Sequence, residues 1–418
     1  MYQGTSLEQL SALDAISHLL TASNFNLDIL LNEICQITAQ TLRVKACAIR
    51  LLNKESGEMV LKAASGLSPQ YLAKGPVIAA KSAFREVIES GEVTEIFDVS
   101  TDSRLQYSQA ATAEGICSQL VVGLLRDSHA IGALSVFTVH PHHFTEEEIQ
   151  IFQTIANQAA VAVHLAHLHQ EQIEMKRIEQ ELAIAADIQT QMMPTQTPQV
   201  PGIDIAAWSQ PCEEVGGDFY DFIELPNANV GIAVGDASGK GIPAALLIAT
   251  VRTSLRVQAE NIYAMREIIQ RVNRALCHDT RPQQFATLFY GVLNSRERIF
   301  TYVNAGHNYP LLFRGDQIMS LKTGGPPVGF FSDATYQEEF VTLLPNDLIV
   351  IYTDGFTETL DSRGEIFGED RFCQVIRQHR HLSPKEIIRE LEDAVSRFEC
   401  ASGDYCDDRT LVVLRVRQ

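Results

Sequence analysis

The chain has 418 residues, 45% of them apolar, and a formal net charge of −19. That length predicts two or three domains with enough apolar surface for globular cores, which excludes general disorder. The acidic balance excludes nucleic acid and anionic lipid as expected partners, since both select basic patches. Eight cysteines (Cys35, Cys47, Cys117, Cys212, Cys277, Cys373, Cys400 and Cys406) form no CxxC pair and keep no regular spacing, the usage of free thiols in a reducing compartment. The first twenty residues lack a basic stretch ahead of an apolar core, and no apolar run reaches the ~18–20 residues needed to cross a bilayer. A cytoplasmic protein with no membrane segment is expected.

The N-terminal segment opens with an amphipathic helix (Leu10, Leu13, Ile16, Leu19, Leu20) and a second from Leu27 to Leu42. Strands are predicted at Ala46 to Asn53, Met59 to Ala64, Val93 to Val99, Gln119 to Arg126 and Ala130 to Thr138. Thr145 stands three residues before Glu148, a capping box that starts a long helix. The pattern is an antiparallel sheet with helices on one side. Histidines cluster at His140, His142 and His143 and again at His164, His167 and His169; solvent-facing side chains are the favoured reading over a metal site.

From Leu165 to Met193 the chain reads as one helix without Gly or Pro, stopped by Pro194. Positions 168, 171, 175, 178, 182, 185, 189 and 192 read Leu, Glu, Met, Ile, Leu, Ala, Gln and Met, an imperfect coiled-coil seam that predicts a homodimer. The alternative is an amphipathic helix packed on its own catalytic domain. PTQTPQVPG then supplies a hinge.

In the second half, strands are predicted at Ile203 to Trp208, Phe219 to Leu225, Val230 to Gly235, Phe285 to Leu293, Ile299 to Val303, Tyr309 to Phe313, Glu339 to Leu344, Leu348 to Tyr352 and Thr410 to Val416. Helices at Pro243 to Glu260 and Met265 to Asp279 can cover one sheet. The stretch from Ser362 to Gly403, with helices around Phe372 and at Pro384 to Phe398, is far from any fixed motif and is expected to recognise substrate.

Four carboxylates carry the chemistry. Asp218, Asp236, Asp354 and Asp407 lie in EVGGDFYDF, VGIAVGDASGKG, LIVIYTDGFTE and DYCDDRTLVV, each where a β-type run meets a glycine-rich or acidic turn. A rigid sheet fixes side chains at strand ends while the adjoining loops leave them open to substrate. Oxygen-only ligands point to Mg²⁺ or Mn²⁺, and the chemistry natural to such a centre is phosphoester hydrolysis by a pair of ions.

The ordered set GGDFYD, GDASGKGIPAAL, FATLFYG, NAGHNYP, GGPPVGF, YTDGFTE and DDRT resembles the SpoIIE/RsbU-type branch of the PPM family of metal-dependent serine/threonine phosphatases, over about Pro201 to Gln418. The resemblance implies that Asp236 bridges two metals, that Ala237 offers its carbonyl to the second, and that Asp354 and Asp407 are further ligands. It also implies that Asp218 meets the metals directly or through water. Asp408, Lys240, Asn304 and His307 match family-typical positions. The turn GDASGKG lacks the histidine that type 2C enzymes carry after the metal-binding Asp-Gly, so the general acid is unassigned; His307 is a candidate, with a loop-holding role favoured.

GICSQLVVGLLRDSHAIGALSVFTVHPHHFTEEE resembles a GAF domain, a sensory module that can hold a small-molecule ligand. Cys117 is followed by Ser118 where bilin-bearing members have His. The expected fold class is therefore α+β: a GAF-like antiparallel sheet with helices at 1–166, a helical linker and hinge at 167–200, and a PPM-type α/β/β/α sandwich at 201–418. The resemblance further implies a phosphorylated STAS-type anti-sigma-factor antagonist as substrate within a partner-switching pathway.

Two competitors are weaker. GKGIPA satisfies a dinucleotide GxGxxA pattern, but Asp236 and Ser238 intervene between strand and first glycine, and a P-loop fails at Val234 and Gly241. A catalytically silent pseudophosphatase that acts by binding alone would have lost a metal carboxylate, and all four are present.

Overall fold

The computed structural model describes residues 26–127, 129–261, 264–281, 283–399 and 407–417. The helix expected around Leu10 to Leu20 lies outside the described residues. The chain divides into two compact units, Met1–Arg177 and Ile178–Gln418.

In the first unit, helix α1 (Leu27–Thr41) precedes β1 (Ala46–Leu52) and β2 (Met59–Ser65). Short helices α2 (Pro69–Leu72), α3 (Phe84–Ser90) and α4 (Ser108–Ala113) alternate with β3 (Thr94–Ile96), and β4 (Ser118–Arg126) and β5 (His129–Thr138) follow. The five strands form one sheet in the order β2-β1-β5-β4-β3, every pairing antiparallel. Helix α5 (Glu146–Met192) begins on the predicted capping box: the Thr145 N–H donates to Glu148 Oε2 at 2.8 Å and the Glu148 N–H to Thr145 Oγ1 at 3.2 Å.

Period-2 alternation decides which face each side chain takes. Ile49, Leu134 and Val136 pack with Leu31, Ile34, Phe152 and Ile155 from α1 and α5. Ala46, Ala48 and Phe137 face the opposite way, against Tyr71, Ala83 and Ala111. Helices therefore cover both faces, not one as the sequence suggested, because α2 to α4 are too short to show a 3.6-residue period.

The second unit holds β6 (Ile203–Gln210), β7 (Asp218–Leu225), β8 (Asn229–Ala237), α6 (Gly241–Asn261), α7 (Met265–Asp279), β9 (Ala286–Asn294) and β10 (Ile299–Ala305). It continues with β11 (Leu311–Arg314), β12 (Gln317–Ser320), β13 (Gly324–Gly325), β14 (Glu339–Thr342), β15 (Leu348–Tyr352), α8 (Gly368–His379), α9 (Pro384–Phe398) and β16 (Arg409–Val416). One sheet runs β13-β10-β9-β8-β7, with β14 beside β10; the other runs β12-β11-β15-β16-β6. Ile232, Val234, Phe289 and Phe300 of the first pack face to face with Ile349, Ile351, Val412 and Leu414 of the second. Helices α6 and α7 bury Leu247, Val251, Ile269 and Val272 on the outer face of the first sheet, and α8 and α9 bury Phe372, Ile376, Ile387 and Leu391 on the second. That is the expected α/β/β/α sandwich. The stretch from Ser362 onward supplies its fourth layer, and α9 starts on a Ser383–Glu386 capping box with Pro384 in the first turn.

Cys35, Cys47, Cys117, Cys277 and Cys373 are free thiols. Cys212 is disulfide-bonded, contrary to expectation, since pairing depends on proximity in space and spacing along the chain carries no record of it. Among the described residues no helix is long and apolar enough to cross a membrane.

Candidate active site

The strand ends bring the predicted carboxylates together. Asp218 opens β7 and stands directly opposite Asp236 near the end of β8 in the antiparallel register. Asp354 follows β15 and Asp407 precedes β16, so the second sheet delivers its pair at the same end of the sandwich. The proximity registers electrostatically. Burial pushes the Asp236 carboxyl up to about 8, reinforced by the charges of Asp354, Asp407 and Asp408. Burial, then Asp407, raises Asp354 to about 6. Asp218 is buried and its carboxyl lies well above the usual range, from burial first and the Asp236 charge second. Like charges crowded out of water favour the protonated form unless a cation joins them.

The donor set fits a hard divalent cation. Among the described residues no three His, Cys, Asp or Glu side chains converge on one point as a metal cage. Asp236, Asp354 and Asp407 lie close enough to act on one another's charge, and their all-oxygen donor set suits Mg²⁺ or Mn²⁺, of which Mg²⁺ characteristically retains several waters. Of the clustered histidines, His142 pairs with Glu148 at 3.2 Å and His143 stacks on Phe97 at 4.2 Å.

The surrounding residues hold this geometry. Thr353, wholly buried, donates from Oγ1 to Asp218 Oδ2 at 2.7 Å and accepts the Thr410 N–H at 2.9 Å, tying β7 to β15 and β16 across the sandwich. Asp408 accepts the N–H groups of Cys212, at 2.7 Å, and Gly217, and so fixes the GGD loop. Lys240 Nζ lies 3.3 Å from Asp407 Oδ1. Gly355 follows Asp354 because a Cβ there would fall 2.0 Å from the Asp408 carbonyl oxygen. Ala237 ends β8 and its N–H donates to the Gly217 carbonyl at 2.9 Å.

His307 is placed to hold its loop. It is buried, and burial lowers its imidazole to about 4. Its Nδ1 shares a 2.8 Å hydrogen bond with Thr287 Oγ1, and its N–H donates to Asn304 Oδ1 at 2.8 Å. The pair Asn304 and His307 holds the NAGHNYP turn.

Sequence reasoning missed Thr353, which lies just past the predicted strand Leu348 to Tyr352, and Gln189, a polar interruption of the seam. Gln189 Nε2 donates to the Gly216 carbonyl at 2.6 Å and its Oε1 accepts the Gly216 N–H at 2.9 Å, two residues before Asp218. Ala185, Gln189 and Met192 also border an apolar pocket with Val215, Ile242 and Leu246. The end of the seam thus packs on its own catalytic domain, whereas Leu168, Met175 and Ile178 remain exposed at 47%, 62% and 49%. Gln189→Ala is expected to lower turnover about tenfold with little loss of stability, because an amide holding both polar groups of one loop peptide is replaced there by water. Steady-state kinetics beside thermal unfolding checks this.

The sandwich and its acidic end define the class of the second unit, a protein serine/threonine phosphatase domain. The description "Stage II sporulation protein E (SpoIIE)" matches residues 226–417, and the GAF domain description matches 26–163. The chain thus joins a SpoIIE-type PPM phosphatase domain to an N-terminal GAF domain. Phosphoserine phosphatase RsbU of Bacillus subtilis (strain 168) is 28% identical over 271 residues, 63% of this chain and 80% of its own length. Protein IcfG of Synechocystis sp. is 27% identical over 47% of this chain, which spans 35% of that protein. Among solved structures, the SiaA-PP2C domain of Pseudomonas aeruginosa superposes with a TM-score of 0.53 at 22% identity, covering 58% of this chain and 98% of that one, a likeness of fold.

Proposed function

We propose that this chain is a metal-dependent phosphatase acting on phosphoserine or phosphothreonine in a protein, governed by its GAF domain. The observation that carries the reading is the in-register pair Asp218 and Asp236, with Asp354 and Asp407 acting on the Asp236 charge from the other sheet. Asp236, Asp354 and Asp407 would hold a pair of Mn²⁺ or Mg²⁺ ions together with the Ala237 carbonyl, and Asp218 would meet them directly or through water, the roles that the family resemblance implies. When bound, such a pair supplies charge neutralisation and nucleophile activation to phosphoester hydrolysis. The protein's own groups orient it: Thr353 holds Asp218, Lys240 holds Asp407, and Asp408 fixes the loop that presents Asp218.

Likeness to RsbU supports a phosphorylated STAS-type anti-sigma-factor antagonist as the substrate in a partner-switching pathway. The exposed Leu168, Met175 and Ile178 support a homodimer through α5.

Hydrolysis of p-nitrophenyl phosphate and of a phosphoserine protein should vanish in EDTA and return with Mn²⁺ or Mg²⁺, because oxygen ligands hold hard cations with modest affinity. Full activity after exhaustive chelation would reject the two-metal reading.

A further inference from the structure

A cavity in the GAF domain has a wall chemistry that the phosphatase reading does not use. It lies on the sheet face covered by α2 to α4, and Arg50, Tyr71, Lys74, Gln119, Ser135 and Phe137 line it. Register explains the company: Ala48 pairs with Ser135, Arg50 with Ala133 and Gln119 with Phe137, so these residues share one face of three adjacent strands. The small side chain of Ala48 leaves the space, which has room for roughly three water molecules.

Ser82, Gln106 and Tyr107 in this wall bond to neighbouring backbone, whereas one buried hydroxyl is orphaned and the two cations are only partly engaged. Ser135 is 2% exposed and its hydroxyl has no hydrogen-bond partner among the described residues. Gln119 is 6% exposed. Arg50 donates from Nη1 to the Met59 carbonyl at 2.9 Å, and no other hydrogen bond of its side chain occurs among the described residues. Lys74 Nζ sits 3.4 Å over the Tyr71 ring and 5.9 Å from that of Tyr107. Among the described residues no carboxylate lines the cavity and neither cation is in an ion pair. Burial first and the Arg50 charge second lower Lys74 to about 7. Glu58 and Glu114 act on the two cations only at longer range, and Glu114 is already engaged by Ser68 and Lys45.

Two cations face one small cavity without an anion, beside a buried hydroxyl that has nothing to bond. The edge-to-face rings of Tyr71 and Phe137, 6.3 Å apart, supply apolar wall. A planar monoanion matches a guanidinium fork and an ammonium. Phosphate sites draw on backbone N–H groups at helix N-termini and glycine loops, whereas this wall is built of side chains. We propose that the cavity binds a small organic carboxylate, with the carboxylate held between Arg50 and Lys74 and a further polar atom bonded by Ser135 or Gln119. The proposal stands independently of the phosphatase reading.

The test is calorimetric titration and thermal unfolding of the full chain with sodium acetate, pyruvate and benzoate, against sodium chloride at matched ionic strength, with inorganic phosphate as a separate arm. At least one carboxylate should bind with one site per chain and raise the unfolding temperature. Arg50→Gln and Lys74→Met should each weaken it tenfold or more. Ser135→Ala removes an unpaired hydroxyl, so the unliganded protein should be at least as stable as the parent while pyruvate binding weakens several-fold. Should Arg50→Gln fail to fold, Lys74→Met and Ser135→Ala decide the matter. The proposal is overturned if none of the three carboxylates binds, if the folded variants bind as the parent does, or if phosphate binds where the carboxylates do not.

Discussion

Asp236→Asn and Asp354→Asn will each reduce hydrolysis of p-nitrophenyl phosphate at saturating Mn²⁺ by at least about 10²-fold, the scale on which a single well-placed electrostatic group acts. Each replacement removes a negative charge and one anionic oxygen from a cluster in which burial first, and the neighbouring carboxylates second, raise Asp236 to about 8. The metal-free fold should respond in the opposite direction. A carboxylate with a raised folded pKa leaves the native state binding more protons than the unfolded chain, so stability present below pH ~4 is lost as pH rises through about 8. In EDTA the unfolding temperature should therefore fall between pH 5 and 8 for the parent, and fall less for Asp236→Asn. Undiminished turnover in either folded variant would reject the site; an equally steep pH dependence in EDTA would reject its electrostatic basis.

The parts legible in the sequence were those with a short period or a fixed local signal. Strands such as Leu348–Tyr352 carry their burial in composition, and the capping boxes at Thr145 and Ser383 mark helix starts by spacing alone. The four metal-candidate carboxylates could be read because each sits at the junction of strand and turn. What escaped was made by residues distant in sequence. Thr353 reaches Asp218 across 135 positions, and Gln189 reaches Gly216 across 27, from a position that read only as a polar interruption of the seam. The short strands β12 and β13 were missed because two to four residues cannot display an alternation, and they exist as partners of β11 and β10.

The GGDFYDF segment shows both sides of this limit. Asp218 and Asp221 differ by three positions, so on a strand they point to opposite faces, and nothing in their identity says which meets the metals. The structure gives Asp221 wholly buried, with Oδ2 at 3.0 Å from Arg252 Nε and Arg256 Nη2 donating to its Oδ1 at 2.6 Å. Arg256 also donates to the Phe222 carbonyl at 3.1 Å. This cluster locks α6, the helix that begins five residues after Asp236, against β7.

Asp221→Ala should therefore destabilise the catalytic domain by about 3 kcal/mol, at the lower end of the cost of breaking a buried ion pair. The lower end applies because Arg252 and Arg256 retain 14% and 41% side-chain exposure and can turn partly to water. Asp221→Asn keeps the shape and one acceptor, so it should lose less. Activity should fall with the folded fraction, leaving turnover per folded molecule near the parent's, in contrast to Asp236→Asn. Urea unfolding followed beside Mn²⁺-dependent turnover separates the two roles: a fully stable Asp221→Ala protein, or one that stays folded yet inactive, would show that Asp221 belongs to the chemistry and not to the scaffold beneath it.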